Sequence, residues 1–329
     1  MNITILNGNP TQTEFDGYLE KLEASLEETG HAVKQICLRE IDFSYCIGCF
    51  GCWVKTPGVC SSQDESCEIR RAVIRSDFTL WAAPLRMGFP SALLKQALDK
   101  SIPLIHPYMI VDQGEAHHRE RYERYPRLGL VLEPELDTDA RDLDIVTDIF
   151  SRMAINFKSK LEFSLTSETP VEELINRIVE GPFSTLPIKK GLSPTVGSSI
   201  TPPKQLTIFN GSPRGNKGNT PIMLKQFGEG FASVAGHTYE MHNLNRLRDH
   251  NKISQDFSEA ESIWLGFPLY TDAMPGIVKA FIESLEDFRG RESNPPIGFL
   301  VQSGFPEALH SRYIERYLEK LSARLNAPY

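Results

Sequence analysis

Two blocks of this 329-residue chain occur twice, in the same order. Ile3-Thr-Ile-Leu-Asn7-Gly-Asn-Pro10 returns as Leu206-Thr-Ile-Phe-Asn210-Gly-Ser-Pro213. Leu80-Trp-Ala-Ala-Pro84-Leu returns as Trp264-Leu-Gly-Phe-Pro268-Leu. In both copies a lysine follows the second proline by 11 positions (Lys95, Lys279) and an acid follows it by 15 (Asp99, Glu283). Each block is a short apolar run closed by turn residues, the pattern of a strand that feeds a loop. Two such blocks in register predict two copies of one folding unit.

The segments between the blocks fit that reading. Glu14–Thr29, Ser91–Ser101, Asp139–Asn156 and Val171–Glu180 have helical periodicity, and His31–Leu38, Arg127–Leu132 and Lys160–Leu165 read as further strands. The second copy repeats the alternation up to a helix over Glu307–Leu325 and stops where a fifth strand is due. Strands alternating with helices imply a parallel sheet covered on both faces. The expected class is α/β, with two doubly wound parallel-sheet domains in tandem over 1–183 and 204–329. The intervening 184–203 is rich in Pro, Gly, Ser and Thr and is expected to be a linker.

The copies differ most at Cys46-Ile-Gly-Cys49-Phe-Gly-Cys52, followed by Cys60 and Cys67. From Pro10 to Pro84 is 74 positions against 55 from Pro213 to Pro268, so the first copy is longer by 19. The spacing C-x2-C-x2-C with a more distant cysteine is a pattern of cubane iron–sulfur ligation, whereas zinc more often takes two separated C-x2-C hairpins. Gly48 and Gly51 allow the backbone to curl the three sulfurs toward one centre. Cys60 or Cys67 would supply the fourth thiolate. A structural zinc, or free thiols, are the alternatives. Cys37 lies in a strand pattern and reads as a small buried hydrophobe.

Net charge is −8 and the pI is near 5.6, which speaks against a nucleic-acid partner. No apolar run approaches the ~20 residues that span a membrane, and no signal-peptide pattern opens the chain. A cytoplasmic protein is expected, in which clustered cysteines bind metal or do chemistry rather than form disulfides.

The second copy carries the more informative loop, Asn210-Gly-Ser-Pro-Arg-Gly-Asn-Lys-Gly-Asn-Thr220. Small residues let backbone N–H groups approach an anion, and the following helix adds its dipole. Ser212, Asn219 and Thr220 can donate hydrogen bonds, and Arg214 adds charge. The loop suits a phosphate, but it has neither Walker A nor G-x-G-x-x-G spacing, so ATP and a Rossmann-bound NAD fit poorly.

With these motifs the sequence resembles the flavodoxin-like NADPH-dependent FMN reductase family, in particular its iron–sulfur flavoprotein branch. The resemblance rests on Gly211-Ser-Pro-Arg214 through Asn219-Thr220, on Pro268-Leu-Tyr270 through Met274-Pro275 and Lys279, and on Cys46, Cys49, Cys52 and Cys60. It implies two flavodoxin-like domains, bound FMN, NAD(P)H as electron donor and a [4Fe–4S] cluster. By position, Ser212, Arg214, Asn219 and Thr220 would hold the FMN phosphate. Pro268, Leu269 and Tyr270 would line the flavin ring, with Ser303 and Gly304 in the loop on its other side. Cys46, Cys49, Cys52 and Cys60 would hold the cluster.

The chain departs from the family pattern in a complementary way. The first copy has Asn7-Gly-Asn-Pro-Thr-Gln-Thr13 with Glu14 and Asp16 close by and no basic residue, and Pro84–Pro90 lacks the tyrosine. An acidic loop is a poor phosphate cradle. The second copy has no cysteine. Family members of this kind are oligomers in which the cluster of one subunit approaches the FMN of another. A fused pair would set the cysteine loop of the first copy toward the flavin of the second, within one chain or a homodimer.

His106–Tyr125 is a long connection that holds His117 and His118. It could place a proton donor near a redox centre; the favoured reading is a charged surface or dimer contact. The expected function is a flavin-dependent oxidoreductase passing electrons between NAD(P)H or a reduced carrier, FMN and a [4Fe–4S] cluster, with small molecules or a protein as donor and acceptor. The alternatives are an NAD(P)H:quinone or small-acceptor reductase without a cluster, and a non-enzymatic electron-carrier or interaction module.

Overall fold

The computed structural model describes residues 1–329 except 113, 182–185, 188, 190, 195–196 and 198–201. Much of the predicted 184–203 linker therefore lies outside the described residues. The chain forms two compact units. One comprises Met1–Tyr45 and Phe50–Lys190, the other Cys46–Cys49 and Gly191–Tyr329.

In the first unit the order is β1 (Asn2–Asn7), α1 (Glu14–Glu28), β2 (Ala32–Cys37), α2 (Gly51–Val54), α3 (Ser66–Arg75), β3 (Phe78–Arg86), β4 (Phe89–Pro90), α4 (Ala92–Asp99), β5 (Ile105–Asp112), β6 (Glu115–Glu120), β7 (Arg127–Glu133), α5 (Ala140–Asn156), β8 (Leu161–Thr166) and α6 (Val171–Glu180). The main sheet runs β2-β1-β3-β7-β8, all parallel, with β4 a short antiparallel addition to β3. That is the flavodoxin-like order, with the switch point between β1 and β3. Ile3, Ile5, Phe78 and Leu80 bury one face under Phe15, Leu19 and Leu22 of α1 and Leu174 and Ile178 of α6. On the other face Trp81 meets Phe150 and Phe157 edge-on. Both faces are thus covered, as the continuous apolar runs require.

The second unit contains β9 (Gln205–Asn210), α7 (Asn219–Ala232), β10 (Thr238–Asn243), α8 (His250–Glu259), β11 (Ile263–Pro268), α9 (Gly276–Glu283), β12 (Ile297–Gln302) and α10 (Leu309–Arg324). Its sheet is parallel in the order β10-β9-β11-β12. The switch point is again beside the first strand, between β9 and β11. The two doubly wound parallel sheets expected from the sequence are present.

Three features differ from the sequence expectation. The crossover helices α3 and α8 were not predicted, because each is short and carries few apolar anchors: Ile69 and Val73 in one, Ile253 and Phe257 in the other. The long connection over His106–Tyr125 is instead an antiparallel hairpin, β5 with β6. His117 is 2% exposed and lies 3.5 Å from Glu115 and 3.4 Å from Asn156, so the surface reading fails for it. Its neighbour His118, on the other side of the strand, meets the Trp53 ring at 4.8 Å.

Candidate functional site

In the second unit, β9 and β11 end in register, Asn210 opposite Gly266, and β12 brings Gln302 opposite Pro268. The loops after these strands therefore leave the sheet together at its C-terminal edge, where ligands of open α/β sheets bind.

Asn210 shapes the first loop. Its side chain is fully buried; Nδ2 donates to the Gly215 carbonyl at 3.2 Å and to Oδ1 of Asn243 at 2.7 Å, and Oδ1 accepts from the Ser212 N–H at 3.1 Å. Gly215 has φ +57°, and a Cβ there would stand 2.7 Å from the Asn245 amide, so the turn needs glycine. The 14-residue helix α7 then starts at Asn219 behind Gly218, with no side chain capping its first N–H groups. Such an N-terminus favours an anion. Ser212 and Thr220 are buried at the loop, while Arg214, Lys217 and Asn219 are exposed. Neither Arg214 nor Lys217 forms an ion pair among the described residues. The Thr220 hydroxyl lies 3.5 Å from Oε1 of Gln302, and Leu269 N–H donates to the Gln302 carbonyl at 2.8 Å. Thr220, the strand-end residues Pro268 and Leu269, and Gln302 with Ser303 after it are thereby drawn to one edge.

Tyr270 is 7% exposed and opens a tight turn. Its N–H donates to Ala273 at 2.9 Å, the Ala273 N–H returns to Tyr270 at 3.1 Å, and Thr271 and Asp272 between them have φ 45° and 58°. Two consecutive left-handed residues make this a primed hairpin turn, and holding it with Thr and Asp stores strain. The segment Cys46–Cys49 belongs to this unit, and within it Gly48, at φ +62°, packs so closely that a Cβ would collide with Oη of Tyr270 and stand 3.3 Å from Cγ of Arg214.

The corresponding loops of the first unit are filled by the chain itself. Asp16 accepts from Asn7 Nδ2 at 2.7 Å, Asn9 Nδ2 at 2.8 Å, the Thr13 N–H at 2.9 Å and Arg39 Nη1 at 2.7 Å. With Thr13 it forms a capping box that closes the N-terminus of α1. Burial alone would raise the Asp16 pKa, but the bonds from Thr13, Arg39 and Asn7 outweigh it and hold the carboxyl below its ordinary value. The turn after β3 has Met87 and Gly88 at φ 51° and 73°, and both N–H groups donate to the Glu135 carboxylate, at 2.9 and 2.7 Å. Aligned on their paired prolines and strands, the second unit has Gly304 where the first has Glu135.

The cysteines expected to hold a cluster are not joined in disulfides. Among the described residues no three His, Cys, Asp or Glu side chains are placed to share a metal ion. Cys46–Cys49 is grouped with one unit, while Cys52, at the start of α2, and Cys60 are grouped with the other. Trp53 anchors α2 by donating to the carbonyls of Ile102 and Ile105. Cys60 Sγ lies 3.8 Å from the buried Lys100 ammonium, which is held at 2.8 Å by Asp64. Cys67 lies on α3, not in a loop.

Residues 1–111 match the family described as NADPH-dependent FMN reductase. The N-terminal third of the chain resembles these reductases. A curated relative, an iron-sulfur flavoprotein of Archaeoglobus fulgidus, is 31% identical over 81 residues, which is 25% of this chain and 36% of the relative. The chain thus spans only about a third of the length of that relative. Among solved structures, an azoreductase from Bacillus anthracis str. Sterne aligns at 13% identity over 55% of this chain and 95% of its own, with a TM-score of 0.39. An NAD(P)H:quinone oxidoreductase from Methanothermobacter marburgensis aligns at 15% identity over 55% and 97%, with a TM-score of 0.40. Likenesses this slight carry no assignment of activity.

Sequence reasoning named Arg214 but passed over Lys217 in the same loop. It also missed Glu135, whose role depends on a turn that only the folded chain brings near.

Proposed function

We propose that the protein is a flavin-dependent NAD(P)H oxidoreductase that binds FMN at the second unit. The observation that carries this is the contrast between two helix starts. The N-terminus of α1 is closed by Thr13 and Asp16, whereas that of α7 has no side-chain cap and is flanked by Arg214 and Lys217. A phosphate monoester fits the second and is repelled by the first. The family match over 1–111 supports the cofactor class, and the shared strand order and turns support a tandem duplication in which the second copy retained the ligand.

Ser212, Arg214, Asn219 and Thr220 would hold the phosphate, and Pro268, Leu269, Tyr270, Ser303 and Gly304 would flank the ring. Bound FMN supplies hydride acceptance and one-electron release. The chain's part is to orient the cofactor: Asn210 fixes the loop, and the buried Tyr270 turn sets one wall. The test is FMN retention. Loss of flavin in Arg214→Ala but not in Asp16→Ala supports the assignment, and the reverse pattern overturns it.

The four-cysteine spacing supports a [4Fe–4S] cluster that exchanges electrons with FMN, and the packing of Gly48 against Tyr270 and Arg214 supports a position beside the flavin. The second reading is a reductase of quinones or other small acceptors that works without a cluster; iron analysis separates the two. No helix among the described residues is long and apolar enough to cross a membrane. A cytoplasmic location, small-molecule or protein redox partners and a homodimer complete the proposal.

A further inference from the structure

The hairpin of β5 and β6 is a two-stranded sheet of its own, joined to neither main sheet. Its register sets Asp112 opposite Glu115, Val111 opposite Ala116, Ile110 opposite His117 and Met109 opposite His118. The pair that closes a two-residue loop exchanges hydrogen bonds, and bonded and non-bonded pairs then alternate along an antiparallel ladder. Asp112 and Ile110 therefore turn their backbone groups toward β6, while Val111 and Met109 turn theirs to the outer edge of β5. Among the described residues no hydrogen bond reaches those outer groups.

The same edge is apolar. Val111 is 79% exposed, Tyr108 65% and Met109 52%, and residues 108–111 carry no charge. Open backbone groups beside exposed apolar side chains recruit another strand, so edges are usually covered or interrupted by charge. Lys34 and Glu240 stand exposed on the edge strands β2 and β10, and β12, though uncharged, exposes no side chain. The β5 edge has neither protection, and a lone two-stranded hairpin has little stability of its own. Its apolar surface also continues beyond the strand. Met109 shares a face with His118, whose ring meets Trp53; Trp53 stacks on Phe50, and Val54 beside it is 77% exposed.

We propose that β5 pairs with β5 of a second copy of this chain, antiparallel across a two-fold axis at Ile110. The result is a four-stranded sheet in the order β6-β5-β5-β6. The inference rests on the homodimer proposed above and names the surface that forms it. The edge itself sets the register. Met109 of each copy lies opposite Val111 of the other, and such a pair exchanges both of its N–H···O bonds. A register two residues nearer the strand start would set Pro107, which has no N–H, opposite Val111. One two residues the other way would run Met109 into the loop. In the register centred on Ile110, Asp112 meets Tyr108 of the other copy and not a second Asp112, so no like charges face each other. The outward groups are symmetric about Ile110, which makes the edge complementary to itself.

The test is sedimentation velocity of the full chain over a concentration series. Wild type is expected to dimerise with a Kd in roughly the micromolar range, as suits a small interface. Met109→Lys should weaken the dimer by at least roughly tenfold, by setting an ammonium against Val111 of the other copy. Val111→Pro should do the same, because its N–H is not used inside the hairpin and only the bond between copies is lost. Combining Met109→Lys with Val111→Glu should bring the Kd back to within about threefold of wild type, since each new ammonium then faces the new carboxylate of the other copy. The urea midpoint at low protein concentration should match wild type in every variant, because the substituted side chains are exposed. A wild type that is monomeric at roughly 100 μM overturns the homodimer and this surface together. A dimer indifferent to Met109→Lys and Val111→Pro leaves the homodimer standing and overturns this surface. Disruption by Met109→Lys with no recovery in the double variant overturns the pairing about Ile110.

Discussion

Asp16 lies 2.7 Å from Arg39, inside a loop whose counterpart in the second unit carries Arg214 and faces a helix start with no side-chain cap. The first unit thus keeps the fold of an anion-binding turn and supplies the anion from its own chain. Three further donors, from Asn7, Asn9 and Thr13, reach the same carboxylate. Removing it in Asp16→Ala takes the 2.7 Å partner from Arg39 and the carboxylate acceptor from these donors. A loss of about 3–5 kcal/mol is expected, read from urea unfolding of the first unit, with FMN content unchanged.

The same carboxylate makes stability depend on pH. Asp16 is held below its ordinary pKa by its hydrogen bonds despite burial. Asp64 is also lowered; burial opposes this, but Lys100, Ser66 and Ser44 outweigh it. A carboxylate with a lowered folded pKa stabilises fully above its unfolded value and loses that contribution as pH falls through the folded one. The urea midpoint should therefore stay level from neutrality down to about pH 5 and fall below about pH 4. In Asp16→Asn the fall should be shallower. An acid limb as steep as that of the wild type would show that Asp16 is not a source of it.

Much of this was legible in the chain. The recurring Asn-Gly-x-Pro and Pro–Lys–acid blocks located the strands beside both switch points and the two loops that leave them. The absence of a base from Asn7–Thr13 already marked the first loop as a poor phosphate site. What the sequence did not carry was how that loop is closed. Asp16 meets Asn7 and Asn9 only after α1 begins, and Arg39 arrives from beyond β2, 23 residues on. Glu135 reaches Met87 and Gly88 across 47 or more positions. Helices α3 and α8 were missed because each is a ten-residue, mostly polar segment with only two deep apolar anchors, and its helicity depends on packing against the sheet.

Arg214→Ala should weaken FMN binding by roughly tenfold to a hundredfold, the range for a hydrogen bond to a charged group. Fluorescence quenching of FMN on titration with apoprotein measures it. Lys217→Ala should act in the same direction, because both side chains flank the α7 N-terminus. Affinity unchanged in both variants would move the phosphate away from this loop.

The recurring lysine and acid pair in each unit, with both partners buried in the first and the lysine buried in the second. Lys95 meets Asp99 at 1% and 2% side-chain exposure, and Lys279 meets Glu283 at 2.6 Å. Lys95→Met should cost about 3–5 kcal/mol by leaving the Asp99 charge buried without its ammonium. Lys95→Met with Asp99→Leu should recover much of that loss, since an apolar pair removes both desolvation costs. Denaturant unfolding of the two variants against wild type decides it. A double variant no more stable than the single would mean that the pair contributes beyond its own charge balance.

The last prediction concerns the cysteines. Cys49 is exposed and Cys46, Cys52 and Cys60 are half-buried, so a metal could be loaded without opening a core. The C-x2-C-x2-C-x7-C spacing favours iron and sulfide over zinc. Anaerobically purified protein is expected to contain iron and acid-labile sulfide in equal amounts, with broad visible absorbance from thiolate-to-iron charge transfer. Cys49→Ala should lose both iron and sulfide. Zinc in place of iron would make the segment structural. Wild-type protein with flavin, steady NADPH turnover and neither metal would establish the cluster-free reductase, and the C-x2-C-x2-C run would then have to be explained by its packing against Tyr270 alone.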